Sequence, residues 1–517
     1  MAAKVIVEKN AYHDSVTLMS LSGKILSREG VEEAVVSMAT EMNKDLLANI
    51  GLLTDNASDA TENDLIIAVK AINEAIVEDT IAFVDSELNA KKKKKGKGGH
   101  QSVQTFSAAL NTLPDANMAI ISVPGEYAAR EARQALANDL HVMLFSDNVS
   151  IEDERELKEL GREKGLFVMG PDCGTAILNQ TGLCFANKVK QGGIGLVAAS
   201  GTGLQEVAVQ IDRLGYGITQ AIGTGGRDLH EDIGGIMMLE GLTALAADEH
   251  TEVIILISKP PAKAVQRKIL EVVEQITKPV VINFLDGERE PIEAVGASFA
   301  PTLIEAARQA VKRLDPEAKV DGDLPLATKN WASDERTQLS SQQHYIRGLF
   351  CGGTLTSEAL SIIRSNGEAV KSNVAKIAEE KIENLEVSAG HSLLDMGDDA
   401  FTKGKPHPMI EPSLRNDRIL QEAKDPETAV LLLDFELGYG AHEDPVGESI
   451  DTIKEAIELA KQEKRHLIVI AYICATLADK QDYQAQEKAL LEAGVYVANS
   501  NEMASKLACL ITKGEVI

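Results

Sequence analysis

Short β-rich apolar runs alternate with helix-forming stretches along most of the chain from residue 117 onward. Met118–Val123, His141–Phe145 and Leu166–Met169 are the first three of these runs, and helix-forming sequence follows the first two. Strands that alternate with helices are typical of a parallel sheet with crossover helices. The sequence therefore predicts an α/β fold, which is the strongest constraint on its architecture.

Two parts of this α/β region resemble each other. Three pairs of segments share residues and occur in the same order: GLVAASGTGLQEV (195–207) with GLFCGGTLTSEA (348–359), TGGRD (224–228) with MGDD (396–399), and DEHTEVIILI (248–257) with DPETAVLLLD (425–434). Chance similarity is unlikely to preserve three matches in order, and two long copies indicate a duplicated domain, not a solenoid.

Breaks in the alternation divide the chain. The predicted segments are 1–90, an α+β ferredoxin-like module; 91–104, a Lys/Gly linker; 105–190, a Rossmann-like domain; 191–314, the first copy; 315–340, a second linker; and 341–517, the second copy. The run Lys91–Lys95 favours a solvated linker, and a phosphate-gripping loop is the alternative. Pro316, Gly322 and Pro325 mark the second linker as a domain boundary.

Net charge and cysteine content restrict the classes of partner and site that the chain can have. The chain of 517 residues carries 52 Lys and Arg against 79 Asp and Glu, a net charge of −27. This balance argues against nucleic-acid and membrane partners but leaves room for a local anion site. The longest apolar run, 467–478, is shorter than the roughly 20 residues that span a bilayer, and the start lacks a signal-peptide core. Five cysteines without a CxxC pair predict a cytoplasmic protein with free thiols and no metal site.

Two glycine-rich loops follow equivalent strands of the two copies. They consist of Ser200, Gly201, Thr202 and Gly203 in the first copy and of Gly352, Gly353 and Thr354 in the second. Glycines let an anion approach the backbone, and a helix start offers unpaired N–H groups with partial positive charge. We predict that the two helix starts form a phosphate site, although Gly-Thr turns also occur for steric reasons.

Several motifs resemble known families. MGPDCGTAI (169–177), the 195–207 segment and IGTGGRD (222–228) resemble the succinyl-CoA synthetase α subunit over about 105–315. GLFCGGTL, FTKGKPHPMIEP and GYGAHEDPVG extend the pattern over nearly the whole chain and resemble the FdrA family of acyl-CoA synthetase-like proteins. The resemblance implies a small α+β module, a Rossmann-like CoA-binding-type domain and two duplicated flavodoxin-like parallel-sheet domains. It also implies substrate or nucleotide contacts at Pro171, Asp172, Gly225 and Gly226.

The chain departs from the synthetases where their chemistry takes place. Their phosphorylated histidine lies in a Gly-His-Ala-Gly-Ala segment, and Ala294 of IEAVGAS stands at that place. A phosphoryl carrier needs a nucleophilic nitrogen, so phosphohistidine chemistry at this position is excluded. Ser258-Lys259-Pro260-Pro261 likewise replaces the segment that carries the contacting glutamate. No cofactor is certain: we expect phosphate or an acyl or carbamoyl phosphate as substrate, with CoA left open because its glycine-rich loop has no clear match.

The FdrA resemblance implies a reaction class. Branches of that family are subunits of oxamate carbamoyltransferase, in which the carbamoyl group of oxalurate passes to phosphate during purine and allantoin catabolism. We therefore expect one subunit of a hetero-oligomeric enzyme that cleaves an N-carbamoyl substrate with phosphate, acting with companion subunits and an anionic small molecule. The alternatives are an ADP-forming acyl-CoA synthetase and a non-catalytic scaffold or regulatory subunit. The loops Lys403–Met409 and Gly438–Gly447 are the expected contact or substrate-closing surface.

Three further side chains are candidates for the site. His407 follows a rigid Lys-Gly-Lys-Pro loop and could act as a general acid or carboxylate binder, or be a surface histidine. Arg227 could hold a substrate carboxylate through two hydrogen bonds, with a structural ion pair as the alternative. Lys403 is a candidate substrate contact.

Overall fold

The computed structural model describes residues 2–11, 13, 15–26, 28, 30–61, 63–95, 103, 105–320, 322, 324–402 and 406–514. They separate into two compact units, one from the described parts of 1–109 and 401–406, the other from the described parts of 110–400 and 407–517. Across these residues, no helix is both long and apolar enough to span a membrane.

The first unit is an antiparallel three-stranded sheet with helices on both faces. Its elements are β1 (Ala2–Glu8), α1 (Ser15–Leu26), β2 (Val31–Met38), α2 (Glu41–Asn49), α3 (Asp55–Ser58), β3 (Leu65–Ala71) and α4 (Glu74–Lys95). The strand order is β1-β3-β2. The central strand is apolar on both sides: Ile67 packs into a core with Leu18 of α1, and Ile66 into a core with Leu47 of α2. The predicted α+β module is confirmed.

Helix α4 extends past the predicted end of the module. It continues through Lys91–Lys95, the beginning of the predicted 91–104 linker. Lysine is a good helix former, so the lysine run prolongs the helix until the glycines begin. Of that linker, residues 96–102 and 104 lie outside the described residues.

The second unit begins with a small parallel sheet. The chain continues with α5 (Phe106–Thr112), β4 (Met118–Ile121), α6 (Gly125–Ala137), β5 (His141–Leu144), α7 (Ile151–Lys164), β6 (Val168–Met169), β7 (Thr175–Leu178) and β8 (Thr181–Cys184). β4, β5 and β6 pair in parallel. As the sequence predicts, Ser150 caps α7 by accepting a hydrogen bond from the Asp153 N–H at 3.1 Å. The β7–β8 hairpin joins the next sheet through β10.

The first copy of the duplicated domain follows. Its elements are β9 (Gln191–Ala198), α8 (Gly201–Arg213), β10 (Ile218–Gly223), α9 (Ile236–Ala247), β11 (Val253–Ser258), α10 (Lys263–Val273), β12 (Val280–Phe284), α11 (Arg289–Ala294), β13 (Ser298–Phe299) and α12 (Leu303–Leu314). The parallel strands lie in the order β10-β9-β11-β12-β13. Each central strand is a buried apolar run, as expected for a sheet covered on both faces.

The second copy has the same strand order. Its elements are α13 (Leu326–Arg336), β14 (Tyr345–Phe350), α14 (Gly353–Ser365), β15 (Val370–Ser372), β16 (His391–Asp395), α15 (Asp399–Thr402), α16 (Ser413–Lys424), β17 (Thr428–Glu436), α17 (Gly447–Gln462), β18 (Ile468–Cys474), α18 (Tyr483–Glu492), β19 (Tyr496–Ala498) and α19 (Asn501–Lys513). The order β16-β14-β17-β18-β19 repeats that of the first copy, with β15 added at the edge. The predicted duplication of a flavodoxin-like parallel sheet is confirmed.

Helix α13 lies inside the segment 315–340 that the sequence predicts as a linker. Pro325 stands at its N-cap, where proline's fixed φ and missing N–H are tolerated. The helix is anchored by Trp331, whose ring stacks on Tyr496 with centroids 4.1 Å apart. The breaker residues thus start a helix instead of marking an unstructured connection. The domain boundaries predicted inside the second unit remain predictions.

The two copies share one apolar core. Leu204 of α8 and Leu303 of α12 belong to the same buried cluster as Leu355 of α14 and Leu507 of α19. Helices α8 and α14 meet at their N-termini, where Ser200 Oγ and Thr354 Oγ1 are 2.5 Å apart. This junction holds the carboxyl ends of the two sheets beside each other.

The junction predicts a coupled mutational effect. Gly352 has φ −133°, which alanine adopts without strain, but a Cβ there would lie 2.5 Å from Thr202 Cγ2. Gly352→Ala should lower the free energy of unfolding by about 1–3 kcal/mol through overpacking. Adding Thr202→Ala should recover part of that loss, because it removes Thr202 Cγ2 and Oγ1 while Cβ remains 2.9 Å from the added atom.

Urea unfolding of the two single variants and the double variant measures this coupling. Thr202→Ala alone is the matched control. Additive effects of the two substitutions would show that the two helix starts do not pack as described.

Candidate functional site

The carboxyl ends of β9 and β14 carry the two predicted phosphate loops. The structure brings together all seven predicted residues at the junction of the copies: Ser200, Gly201, Thr202, Gly203, Gly352, Gly353 and Thr354. Contact is direct, since a Cβ at Gly203 would lie 3.0 Å from Thr354 Cγ2. Ligands of open α/β sheets bind at this edge of the strands. The arrangement is thus a pair of helix starts in contact, at the position where a ligand is expected.

The two helix starts are not equivalent. Ser200 caps α8, because its Oγ accepts a hydrogen bond from the Gly203 N–H at 2.9 Å. The residue at the same place before α14 is Gly352, which has no side chain to cap the helix. A helix start without a side-chain cap keeps N–H groups available for an external acceptor. The phosphate site therefore stays a prediction, and the α14 start is the better candidate for it.

Two charged side chains converge on the α14 start. A Cβ added at Gly353 would lie 2.5 Å from Asp395 Oδ2 and 3.5 Å from Lys259 Nζ. Asp395 is the last residue of β16, and Lys259 directly follows β11. In the sequence, Lys259 stands out only as part of the segment that replaces a glutamate, and Asp395 belongs to no selected motif. A signal was present, since Asp395 ends an apolar strand immediately before the MGDD match.

Asp395 is a buried carboxyl with a shifted pKa. The residue is 8% exposed, and its Oδ1 accepts a hydrogen bond from the Gly397 N–H at 3.0 Å. Burial raises its pKa to about 7, against the opposing charge of Lys259. The charges of Asp398 and Asp434 contribute to this rise. A carboxyl that exchanges its proton near neutral pH is characteristic of functional sites.

The predicted contacts Pro171, Asp172, Gly225 and Gly226 also lie together. Gly225 has φ +88°, which favours glycine, and a Cβ there would lie 2.4 Å from the Pro171 carbonyl oxygen. A Cβ at Gly226 would lie 3.4 Å from Asp172 Oδ2. The two loops after β6 and β10 are therefore packed against each other.

Asp172 connects this group electrostatically to Lys259. The residue is exposed, but nearby protein partly desolvates its carboxyl, and this desolvation raises its pKa to about 6. Asp147 and Asp399 add to the rise, while Arg227 and Lys259 oppose it. Lys259 is thus the positive charge that acts on both shifted aspartates, Asp172 and Asp395.

Arg227 forms the structural ion pair that the sequence left as the alternative. Its Nη2 lies 2.9 Å from Glu154 Oε2 and donates to the Val149 carbonyl at 2.7 Å. Glu154 is fully buried and also pairs with Lys158 at 2.8 Å. Lys158 in turn pairs with Asp228. This network fastens α7 to the loop after β10, and substrate binding by Arg227 stays a prediction.

His407 lies against Gly397 in the loop that follows β16. Its Nδ1 accepts a hydrogen bond from the Met409 N–H at 3.2 Å, and its Nε2 would be 2.4 Å from a Cβ at Gly397. Burial lowers its pKa to about 4. The imidazole is therefore neutral at pH 7 with its proton on Nε2, which suits hydrogen-bond donation better than the predicted general-acid role. Lys403 lies outside the described residues.

A buried group of potential metal ligands lies between the end of β14 and β17. Donor atoms of Cys351, Asp434 and Glu436 lie within 4.8 Å of one another. However, Arg415 Nη1 is 3.0 Å from Cys351 Sγ and 3.1 Å from Asp434 Oδ1, so the guanidinium already supplies the positive charge there. Burial raises the pKa of the Cys351 thiol well above its usual range, which argues against a nucleophilic role.

The burial of His407 predicts a low pKa for its imidazole. The imidazole should titrate near pH 4, whereas an unfolded chain takes up this proton at about pH 6.5. Stability should therefore be lost as the pH falls from about 6.5 towards 4, and His407→Gln should reduce that loss. NMR titration of the histidine signals, with His407→Gln to identify the resonance, measures the pKa. Titration above about pH 6 would contradict the described burial.

Three family models match parts of the chain. The CoA-ligase model matches residues 349–511, the CoA-binding domain model matches 189–285, and the model of the AllF heavy metal-associated domain matches 1–106. The first two matches fall on the two copies that form the site. Both are named for coenzyme A, so CoA is a candidate ligand of the family.

The heavy-metal name does not fit the residues of the first unit. Soft metals are bound by cysteine thiolates, and the five cysteines of the chain all lie at or beyond Cys173. Among the described residues, Cys351, Asp434 and Glu436 are the one group that brings three potential metal ligands together; it contains a single cysteine and lies in the second unit. We derive no metal chemistry from the first unit.

Relatives extend the comparison to the whole chain. YahF of Escherichia coli K12, named as an uncharacterized protein, is 48% identical over 517 residues and covers 100% of both chains. The succinate–CoA ligase α subunit of Methanothermobacter thermautotrophicus is 26% identical over 203 residues, 38% of this chain and 67% of that protein. The ATP citrate lyase structure from Methanothrix soehngenii shares 18% identity over 44% of this chain and 45% of that one, with a TM-score of 0.36.

The match to YahF is long and close enough to establish membership, whereas the ligase match covers part of the chain and establishes a relation. The FdrA name stays an interpretation of the sequence motifs. Part of this chain is related to succinate–CoA ligase α subunits, and residues 349–511 match the CoA-ligase model. The chain as a whole belongs to the family of the Escherichia coli protein YahF.

Proposed function

We propose that this chain is a subunit of a phosphate-dependent carbamoyltransferase that binds phosphate, or a carbamoyl or acyl phosphate, without a phosphohistidine. The observation that carries the proposal is the α14 start, where a helix without a side-chain cap faces Lys259. The position of the synthetase carrier is Ala294, the last residue of α11, which has no nucleophile. An anion bound at Gly353 would have to react directly.

The proposed reaction is the attack of a phosphate oxygen on the carbonyl carbon of an N-carbamoyl substrate. A C–O bond forms, the C–N bond breaks, and the proton released by phosphate ends on the leaving nitrogen. The tetrahedral intermediate carries negative charge on the former carbonyl oxygen. Helix N–H groups that are already oriented stabilise such charge without reorganisation, which is the main catalytic term available here.

The FdrA resemblance supports the oxamate carbamoyltransferase version of this reaction and a hetero-oligomeric enzyme. The described residues near the α14 start supply an anion site, one lysine and one titratable carboxyl. A second reactant must also be oriented for efficient transfer. We propose that a companion subunit provides this orientation and that the loops around His407 and Gly438–Gly447 contact it or close over the substrate.

An ADP-forming acyl-CoA synthetase is the second candidate function. The matches to the CoA-ligase and CoA-binding models favour it. It would require CoA, ATP and another residue as phosphoryl carrier, because Ala294 cannot serve. A non-catalytic scaffold is the third candidate, and absence of phosphate binding would favour it.

The proposed function predicts activity only in a complex. The purified chain should be folded but nearly inactive, and mixing it with its companion subunits should produce phosphate-dependent cleavage of oxalurate to carbamoyl phosphate. Detection of carbamoyl phosphate, with phosphate omitted as a control, measures this. Gly353→Val should abolish the activity, because its side chain displaces Asp395 and covers the helix start. Gly322→Val, where a Cβ would be in ordinary contact with Arg308 Nη1 at 3.7 Å, is a control for a distant glycine.

The synthetase alternative is tested by a search for a phosphorylated enzyme. Incubation with labelled ATP or acyl phosphate should leave the intact mass unchanged, because the carrier position is Ala294. Acid-labile phosphate on His407 or His442, together with CoA-dependent turnover, would favour the synthetase function. Full turnover of oxalurate by the chain alone would refute the need for a companion.

A further inference from the structure

The second copy buries a thiol and two carboxyls at the carboxyl ends of two paired strands. Asp434 and Glu436 lie two residues apart on β17, so their side chains point to the same face of the sheet. Cys351 directly follows β14, which pairs in parallel with β17. All three residues are buried, and their donor atoms lie within 4.8 Å of one another. The fold thus brings three metal-ligating side chains to one point inside the protein.

Glu436 is the member of this group whose carboxyl is not satisfied. The residue is 2% exposed, and neither Oε1 nor Oε2 accepts a hydrogen bond from any residue that the structure describes. Its carboxyl nevertheless points into the group, since one of its oxygens is among the donor atoms that lie within 4.8 Å of each other. A buried carboxylate without a donor is costly, so a positively charged partner is expected at this point.

The other two side chains are held in place by hydrogen bonds. Asp434 accepts the Cys351 N–H through Oδ1 at 2.8 Å and through Oδ2 at 3.1 Å. Arg415 Nη1 lies 3.0 Å from Cys351 Sγ and 3.1 Å from Asp434 Oδ1. The guanidinium therefore supplies one positive charge to a group that contains two carboxyls and a thiol. It donates no hydrogen bond to the described atoms of Glu436.

We propose that Cys351, Asp434 and Glu436 bind a divalent transition-metal ion of the zinc type. Thiolate and carboxylate are both ligands of Zn²⁺, whereas Mg²⁺ and Ca²⁺ take oxygen ligands. Arg415 and a divalent ion together balance the charges of one thiolate and two carboxylates. The thiol proton leaves to water as the bond between sulfur and metal forms. This site is separate from the proposed transfer reaction and does not depend on it.

The metal site has a structural role and one rival. Phe185 and Met409 pack in the same apolar cluster as Cys351, which keeps water from the sulfur. A metal there fastens the turn between β14 and α14 to β17, because Cys351 directly precedes the first residues of α14. The rival is a proton shared by the two carboxyls, which would neutralise one charge without involving the thiol. Participation of the sulfur therefore distinguishes the two.

The experiment supplies the metal while the full-length chain is being made, because the donor atoms are buried. The chain is expressed with added Zn²⁺ or Co²⁺ and dialysed, and its metal content is measured by elemental mass spectrometry. We expect about one metal ion per chain. The Co²⁺ form should show a thiolate-to-cobalt charge-transfer band in the near ultraviolet, and Cys351→Ser should remove it. Cys509→Ser, which changes another buried free cysteine, is the matched control and should keep the band.

The carboxyl is tested in the same assay. Glu436→Gln keeps the shape of the side chain and should lower the metal content at least about tenfold, because even loss of a residue that only supports a ligand costs about that much affinity. Glu443→Gln, which changes an exposed glutamate paired with Lys480, is the matched control. Zn²⁺ should also raise the Tm of the parent chain, since a metal that binds the folded state stabilises it, and should leave the Tm of Glu436→Gln unchanged. Circular dichroism checks that each variant is folded.

Several outcomes overturn the inference: a parent chain without metal, unchanged metal content in folded Glu436→Gln, or bound Co²⁺ without the thiolate band. The first of these leaves the shared proton as the neutralising partner. If Cys351→Ser does not fold, the cobalt spectrum of the parent chain and the metal content of Glu436→Gln decide. Metal results as expected without oxalurate cleavage in the complex would refute the carbamoyltransferase proposal and leave this inference standing.

Discussion

The packing of one α/β copy against the other is the constraint on which the site depends. Helices α8, α12, α14 and α19 bury a common core, and this core fixes the N-termini of α8 and α14 in contact. Each sheet alone would present a single helix start at its carboxyl edge. Fused in one chain, the two edges face each other, and Lys259 of the first copy reaches Gly353 of the second.

Duplication creates the site, and divergence between the copies determines its chemistry. Ser200 caps one helix, while Gly352 leaves the other uncapped. The equivalent glycines Gly201 and Gly353 face a neutral hydroxyl in one copy and a carboxyl with a lysine in the other. A symmetric fold thus presents two unlike helix starts, and the proposed anion site at the α14 start would take the place of the carrier that Ala294 cannot provide.

The sequence predicts the repeated strands and glycine loops because both leave local patterns, namely apolar runs between turns and matching motifs. It does not reveal Asp395, since an aspartate at the end of HSLLD looks like any strand terminus until the other copy is placed beside it. The two helix starts differ in one side chain, Ser200 against Gly352. The consequence of that difference is visible only when the two helix starts are placed beside each other. Arg227 shows the same limit, because its partner Glu154 lies 73 positions away in sequence. The sequence predicts a linker where α13 lies, because proline can either break or start a helix and Pro325 does the latter.

The central claim is that the α14 start, and not the α8 start, binds the anion. A crystal structure of the chain grown with phosphate near pH 6 tests it most directly. The account predicts one phosphate beside Gly353, bonded to the N–H groups of α14 and to Lys259 Nζ. Phosphate bound at Gly201 instead, or a site left empty at saturating phosphate, would contradict it.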